Sequence, residues 1–219
     1  MRAFFESAFD VVYLVLVVTL GIRMLRKAEG RRQFQLFGAM AVVLGAGDAF
    51  HLVPRMIALW TDGFEAHAAA LGIGKLITSV TMTVFYVLLY YVWRERYGIR
   101  DRKSLSAAVW LLAVVRVVLC FMKQNEWTSV NPPLSWGIYR NIPFALLGLL
   151  VIVLFYVQSH VDASFRWLWL TIVLSFAFYI PVVLFSHQYP AVGMLMIPKT
   201  CAYVWTVWIG YQAMKGERK

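Results

Sequence analysis

Seven ionisable side chains fall inside apolar stretches of this chain: Asp48, His51, Arg55, Lys75, Arg116, Arg140 and Lys199. Asp48, His51 and Arg55 stand at i, i+3 and i+7, a spacing that puts all three on one face of a helix. Lys75, Thr78, Ser79 and Met82 form a second stripe that continues toward Tyr86. Arg140 and Asn141 follow Trp136 and Tyr139, and Lys199 and Tyr203 are four residues apart. Five of these groups are cations, against one clear anion, Asp48, or two with Asp10. Arginine does not escape its charge, because its pKa lies above about 12. A bound carboxylate or phosphate would neutralise the excess through charge-assisted hydrogen bonds. Neighbouring aromatic residues would hold the apolar part of such a ligand.

The elements that carry these residues follow from composition. The chain has 219 residues, 61% of them apolar and 15% charged. Soluble domains run at roughly 45–50% apolar and about 25% charged, so a soluble or a disordered chain is excluded. Apolar blocks at about 8–26, 34–59, 68–93, 105–122, 136–157, 166–186 and 191–213 each approach the roughly 20 residues that cross a bilayer. The expectation is an all-α polytopic membrane protein, one domain over 1–219 with seven transmembrane helices. Connections are short. Glu6 and Asp10 stand where a cleavable signal would have its basic region, so the first block reads as a retained span.

The net charge of +10 and a pI near 9.8 would suggest nucleic acid in a soluble protein. Here the basic residues sort by loop. Arg23, Arg26, Lys27, Arg31 and Arg32 close or follow the first span, and Arg94, Arg96, Arg100, Arg102 and Lys103 follow the third. Arg166, Lys215, Arg218 and Lys219 fall on the same side, against Arg2 and Lys123 on the other. The basic side is expected to face the cytoplasm. That puts the N-terminus outside and the C-terminus inside, in a cell membrane, expected to be bacterial. These charges are assigned to topology, and no nucleic-acid partner is expected.

The chain also shows signs of an internal repeat. Leu71-Gly72-Ile73-Gly74-Lys75 opens the third span and Leu195-Met196-Ile197-Pro198-Lys199 the seventh, both reading Leu-x-Ile-x-Lys. Ala49-Phe50-His51-Leu52 before Pro54 matches Ala177-Phe178-Tyr179-Ile180 before Pro181. The reading is a 3+1+3 parallel pseudo-repeat, with triplets 1–93 and 136–213 joined by a linker helix at 105–122. This order resembles that of the sugar-transporting SWEETs, the PnuC-type vitamin transporters and, more distantly, the opsins. The resemblance is one of architecture, and the Pro-Gln motif of the SWEET and PQ-loop proteins is absent. Fold-level likeness does not establish function.

At about 1.5 Å per residue, the seven groups lie roughly 6–16 Å below the boundary on the N-terminal side. A charge at mid-membrane costs at least about 2.5–3.5 kcal/mol, so such groups face a bundle interior or a wet cavity. The inner half of every span lacks a charge. A polar cavity open at one end, with an apolar floor, is the expectation. Asp10, His187 and Tyr189 could add to its rim. Ordinary structural roles compete with this reading. Arg55, Arg140, Lys75 and Lys199 could snorkel to headgroups. Arg116 could pair with Asp48, and His51 could be a hydrogen-bonded core residue. Cys120 and Cys201 read as free thiols, and Pro54, Pro143, Pro181 and Pro198 as helix kinks or cavity frames.

Three functions fit these residues. The first is a transporter or binding protein for a small anionic ligand, with the bilayer as its medium. Its site would comprise Asp48, His51, Arg55, Lys75, Ser79, Arg116, Arg140, Asn141, Lys199 and Tyr203. Lys75 and Lys199 would clamp the anion, and Asp48 with His51 would form a proton-coupling pair. The second is an intramembrane enzyme acting on a lipid or amphiphile through Asp48 and His51, with cations stabilising the developing anion. The chain lacks GxSxG, HExxH and zinc-type Cys/His spacing, so no metal or cofactor is expected. The third is a retinal-type receptor with Lys199 as the Schiff-base lysine. Lys199 lies nearer one boundary than that role needs, and the third span offers no acidic counterion.

Overall fold

The computed structural model describes residues 2–186 and 188–217. His187, Arg218 and Lys219 therefore lie outside the described residues. The chain forms α1 (Arg2–Lys27), α2 (Arg32–Trp60), a short α3 (Gly63–Ala66) and α4 (Ala68–Arg96). It continues through α5 (Lys103–Phe121), α6 (Leu134–Gln158), α7 (Leu168–Phe185) and α8 (Met196–Gly216). A 3-10 turn at Pro190–Leu195 leads into α8. Seven helices, all but α3, are long and apolar enough to span a membrane. In hydrocarbon every backbone N–H and C=O must be satisfied within the protein, and a helix does this along its own length. The spans agree with the sequence reading to within a few residues. Most helices run slightly further into the polar regions than hydropathy suggests.

Consecutive spans pack side by side, and α8 returns to α1, closing a ring in chain order. Across the ring α4 touches α6, and α8 touches α2. The seams of α2 with α1 and with α4 are the most extensive. Small residues make the second of these possible. A Cβ on Gly74 would stand 2.2 Å from the carbonyl oxygen of Phe50 and 2.7 Å from the Cα of His51. On another side of α4, a Cβ on Gly72 would stand 1.4 Å from the carbonyl oxygen of Trp127, in the connection between α5 and α6. Both obstacles are backbone, so neither position has room for a side chain. The two glycines of Leu71-Gly72-Ile73-Gly74-Lys75 therefore serve close packing.

The two ends of the bundle differ. At the basic end, Arg96 at the close of α4 donates to both oxygens of Asp162, at 2.8 and 3.1 Å. It also pairs with Glu217, beyond α8, and lies over the Phe165 ring. Glu217 accepts from Gln33 at the start of α2. Tyr97 donates to Asp162 at 3.0 Å, and Asp162 itself accepts from the backbone N–H of Ser164. The network fastens the ends of α4 and α8, the start of α2 and the α6–α7 turn. Burial opposes ionisation of Asp162, but Arg96 and Tyr97 outweigh it and hold the carboxyl below the usual range. Burial, then the Asp162 charge, push the Tyr97 hydroxyl well above its ordinary value. Arg96 thus has a structural role that topology alone did not assign it.

Candidate functional site

The polar residues gather at the other end of the ring, where α1, α4, α6 and α8 begin. Asp48, His51 and Arg55 share one face of α2, as their spacing requires. Tyr13 of α1 donates a 2.6 Å hydrogen bond to Asp48 Oδ2. Arg55 pairs with Glu6 of α1, and its guanidinium lies 5.1 Å from the Phe64 ring centre. Asp10 is buried, and its Oδ2 has no hydrogen-bond partner among the described residues. The same holds for Nδ1 of His51. Glu6, Asp10 and Tyr13 stand at i, i+4 and i+7 on α1, so the first helix supplies a polar stripe facing that of α2. Glu6 lies near a span end, where polar residues are usual, and Tyr13, inside the span, reads in sequence as one more aromatic residue of an apolar helix. Their helical spacing was the available signal.

A second cluster joins α4, α5 and α6. Arg116 is buried at 2% exposure, with its guanidinium 3.7 Å from the Phe144 ring centre. It donates to the carbonyl of Arg140 at 3.1 Å, to Asn141 Oδ1 at 3.0 Å and to the carbonyl of Ser79 at 3.4 Å. The Arg116–Asp48 bridge considered from sequence does not form. Uncharged acceptors and a ring surround this cation instead. Tyr179 of α7 donates to the same Asn141 oxygen at 3.1 Å. The Ser79 hydroxyl turns along its own helix to the carbonyl of Lys75, so only its backbone joins the cluster. Arg140 donates to Asn125 at 2.8 Å and lies 4.2 Å from the Trp127 ring centre. Asn125 and Trp127 belong to the α5–α6 connection. No sequence pattern pointed to them.

Lys199 sits on the first turn of α8 and is buried. Its Nζ lies 4.7 Å from the ring centre of Tyr179 and 5.3 Å from that of Tyr203. Lys75, on α4, is exposed. Neither ammonium has a hydrogen-bond or ion-pair partner among the described residues. The clusters share one electrostatic field. Lys199 acts on Asp48, Lys75 and Lys199 both act on His51, and Arg140 and Arg55 act on Lys75. Below them Phe85, Tyr86, Phe144, Phe176 and Tyr203 form an aromatic floor through edge and tilted contacts. Comparison with protein-family models, with curated proteins and with solved structures gives no match.

On the spanning helices of this end five cations stand with three carboxylates, Glu6, Asp10 and Asp48, while the connections add Asp62, Glu65 and Glu126 against Lys123. On those helices the excess is two positive charges, smaller than the sequence suggested because Glu6 neutralises Arg55. Cys120 is buried, Cys201 is exposed, and both are free thiols. Among the described residues no three His, Cys, Asp or Glu side chains stand together as metal ligands would. Tyr189, at the exposed turn before α8, does not touch the clusters through any hydrogen bond among the described residues. The arrangement offers fixed positive charge and two ammoniums without a polar partner among the described residues, one of them against two tyrosine rings.

Proposed function

We propose that the protein is an integral membrane binding protein or transporter for a small anion bearing a carboxylate or phosphate. One observation carries the reading: Lys75 and Lys199 have no polar partner among the described residues, on spanning helices whose five cations at this end outnumber the three carboxylates Glu6, Asp10 and Asp48. A buried ammonium without acceptors is costly. An anion supplies those acceptors and cancels the excess charge. Lys75, exposed on α4, makes the outer contact. Lys199, against Tyr179 and Tyr203, makes the inner one.

Arg140 and Arg55 form the cationic rim, and Asn141 and Tyr203 line the inner wall. Arg116 positions Asn141 and the α6 backbone, because its Nε and one Nη already donate to Ser79, Arg140 and Asn141. Asp48 and His51 stand beside the two lysines as the pair able to exchange a proton with the bound anion. In this reading the basic end faces the cytoplasm and the site opens outside.

The test is calorimetric titration of the purified protein in detergent with inorganic phosphate and short-chain carboxylates. Wild type binds at least one of them. Lys199→Met and Lys75→Gln each bind about 10- to 100-fold more weakly, the loss of one charge-assisted contact. Equal titrations for wild type and both variants would sink the reading.

A further inference from the structure

A crevice of about 190 Å³ opens between α6 and α7 in the same half of the bundle as the lysines. Its walls include Ile142, Ala145, Ile180 and Leu184, and its two polar members are Asn141 and Tyr179. Ile142 is 53% exposed and Ile180 45% exposed on spanning helices, so the crevice faces the hydrocarbon of the bilayer. Pockets for whole small molecules run to about 300–1,000 Å³, so this one accommodates part of a ligand. Phe144 and Tyr179 also line it. Each carries a cation on its ring, Arg116 on Phe144 and Lys199 on Tyr179. The two rings meet edge to face, 6.2 Å apart at 88°. The crevice is thus an apolar slot open to lipid. Its inner wall is the aromatic and amide layer against which the unpartnered lysine and the buried arginine rest.

We infer that this crevice holds the alkyl chain of a single-chain anionic amphiphile whose head group reaches Lys199. The inference rests on the anion-binding reading and narrows the ligand to one that arrives from the bilayer. The apolar walls receive the chain. Asn141 and Tyr179, hydrogen-bonded to each other at 3.1 Å, mark where the chain ends and the polar head begins. A neutral amphiphile of equal length gains the apolar contacts and lacks the attraction to Lys199. A carboxylate and a phosphate head share the required charge.

The test uses full-length protein in phosphatidylcholine vesicles and three photoreactive probes of equal chain length: a fatty acid, a lysophosphatidate and a fatty alcohol. Cross-links are mapped by mass spectrometry. An anionic probe labels 138–145 and 176–184 about tenfold above the alcohol, the discrimination expected of one charge-assisted contact. The better-labelling head group distinguishes carboxylate from phosphate. Ala145→Trp fills the slot and removes that labelling, and Ile142→Trp, from the exposed rim, does the same if the first variant folds poorly. Lys199→Met reduces labelling to the level of the alcohol. Titration of the tryptophan variants with phosphate and short carboxylates reads the parent proposal separately, because filling the slot leaves the lysines in place. Equal labelling by charged and neutral probes, or labelling undiminished in both tryptophan variants, overturns the inference.

Discussion

Tyr13 and Asp48 join the first two spans through a 2.6 Å hydrogen bond in the half of the bundle that holds the lysines. The phenol is buried at 2% exposure. Its hydroxyl satisfies a carboxylate whose nearby cation, Lys199, makes no ion pair with it. Removing the donor leaves Asp48 without its hydrogen bond in a poorly hydrated place.

Tyr13→Phe is therefore expected to destabilise the protein by about 1.5–3 kcal/mol, the range for a hydrogen bond to a charged group. The double change Tyr13→Phe with Asp48→Asn costs less than the two single changes added together. A double-mutant cycle on thermal unfolding in detergent measures this coupling. Strict additivity would show that the bond contributes nothing.

Gly74→Ala is expected to damage both stability and the site. The new methyl would meet the Phe50 carbonyl at 2.2 Å, so α2 and α4 must separate or shift. Overpacking of this kind costs about 1–3 kcal/mol. His51 is the next residue on α2, so the shift also moves the polar face. Expected results are a lower melting temperature and weaker anion binding, while Gly193→Ala, which meets nothing within 4 Å, changes neither.

Arg116→Met removes a cation whose donors serve three separate acceptors on α4 and α6. The Arg140 carbonyl and the Asn141 oxygen lose a charged donor. A loss of about 1.5–3 kcal/mol, at roughly 2–4 °C per kcal/mol for a chain of this size, lowers the melting temperature by about 3–12 °C. Arg116→Lys recovers part of this at most, because an ammonium cannot reproduce the planar fork. An Arg116→Lys protein as stable as wild type would contradict the assigned role.

At the basic end, stability should depend on pH through Asp162. Its folded-state pKa lies below the unfolded value of about 3.9. Its contribution is therefore fully present above about pH 4 and is lost as pH falls through the lower folded value. Melting temperatures of wild type and Asp162→Asn should differ at neutral pH and converge on acidification. A difference that persists unchanged to the lowest accessible pH would exclude the linkage.

Parts of the site were legible in the sequence. Asp48, His51 and Arg55 do share a face. Arg116 and Asn141, singled out separately, meet at 3.0 Å. Lys199 and Tyr203 approach as a spacing of four predicts. These cases depend on helical periodicity and on the cost of charge in hydrocarbon, both of which act locally. The roles of Glu6, Tyr13, Asn125, Trp127 and Tyr179 were not legible, because each depends on a partner more than ten residues away in sequence. The matched Leu-x-Ile-x-Lys segments have unlike local settings: the first holds packing glycines inside α4, and the second spans the junction of a 3-10 turn with α8.

The sequence by itself determined the seven spans and which residues must avoid lipid. Backbone hydrogen bonding and hydrophobic transfer depend on composition over a single turn or a single span, whatever the neighbours are. Only the tertiary structure decided the partners: Arg55 with Glu6, Arg116 with carbonyls and Phe144, Lys199 against two tyrosine rings. Partner choice depends on the order and rotation of whole helices. Those are set by close backbone approaches such as Gly74 on Phe50, and by many small contacts that no single segment of sequence contains.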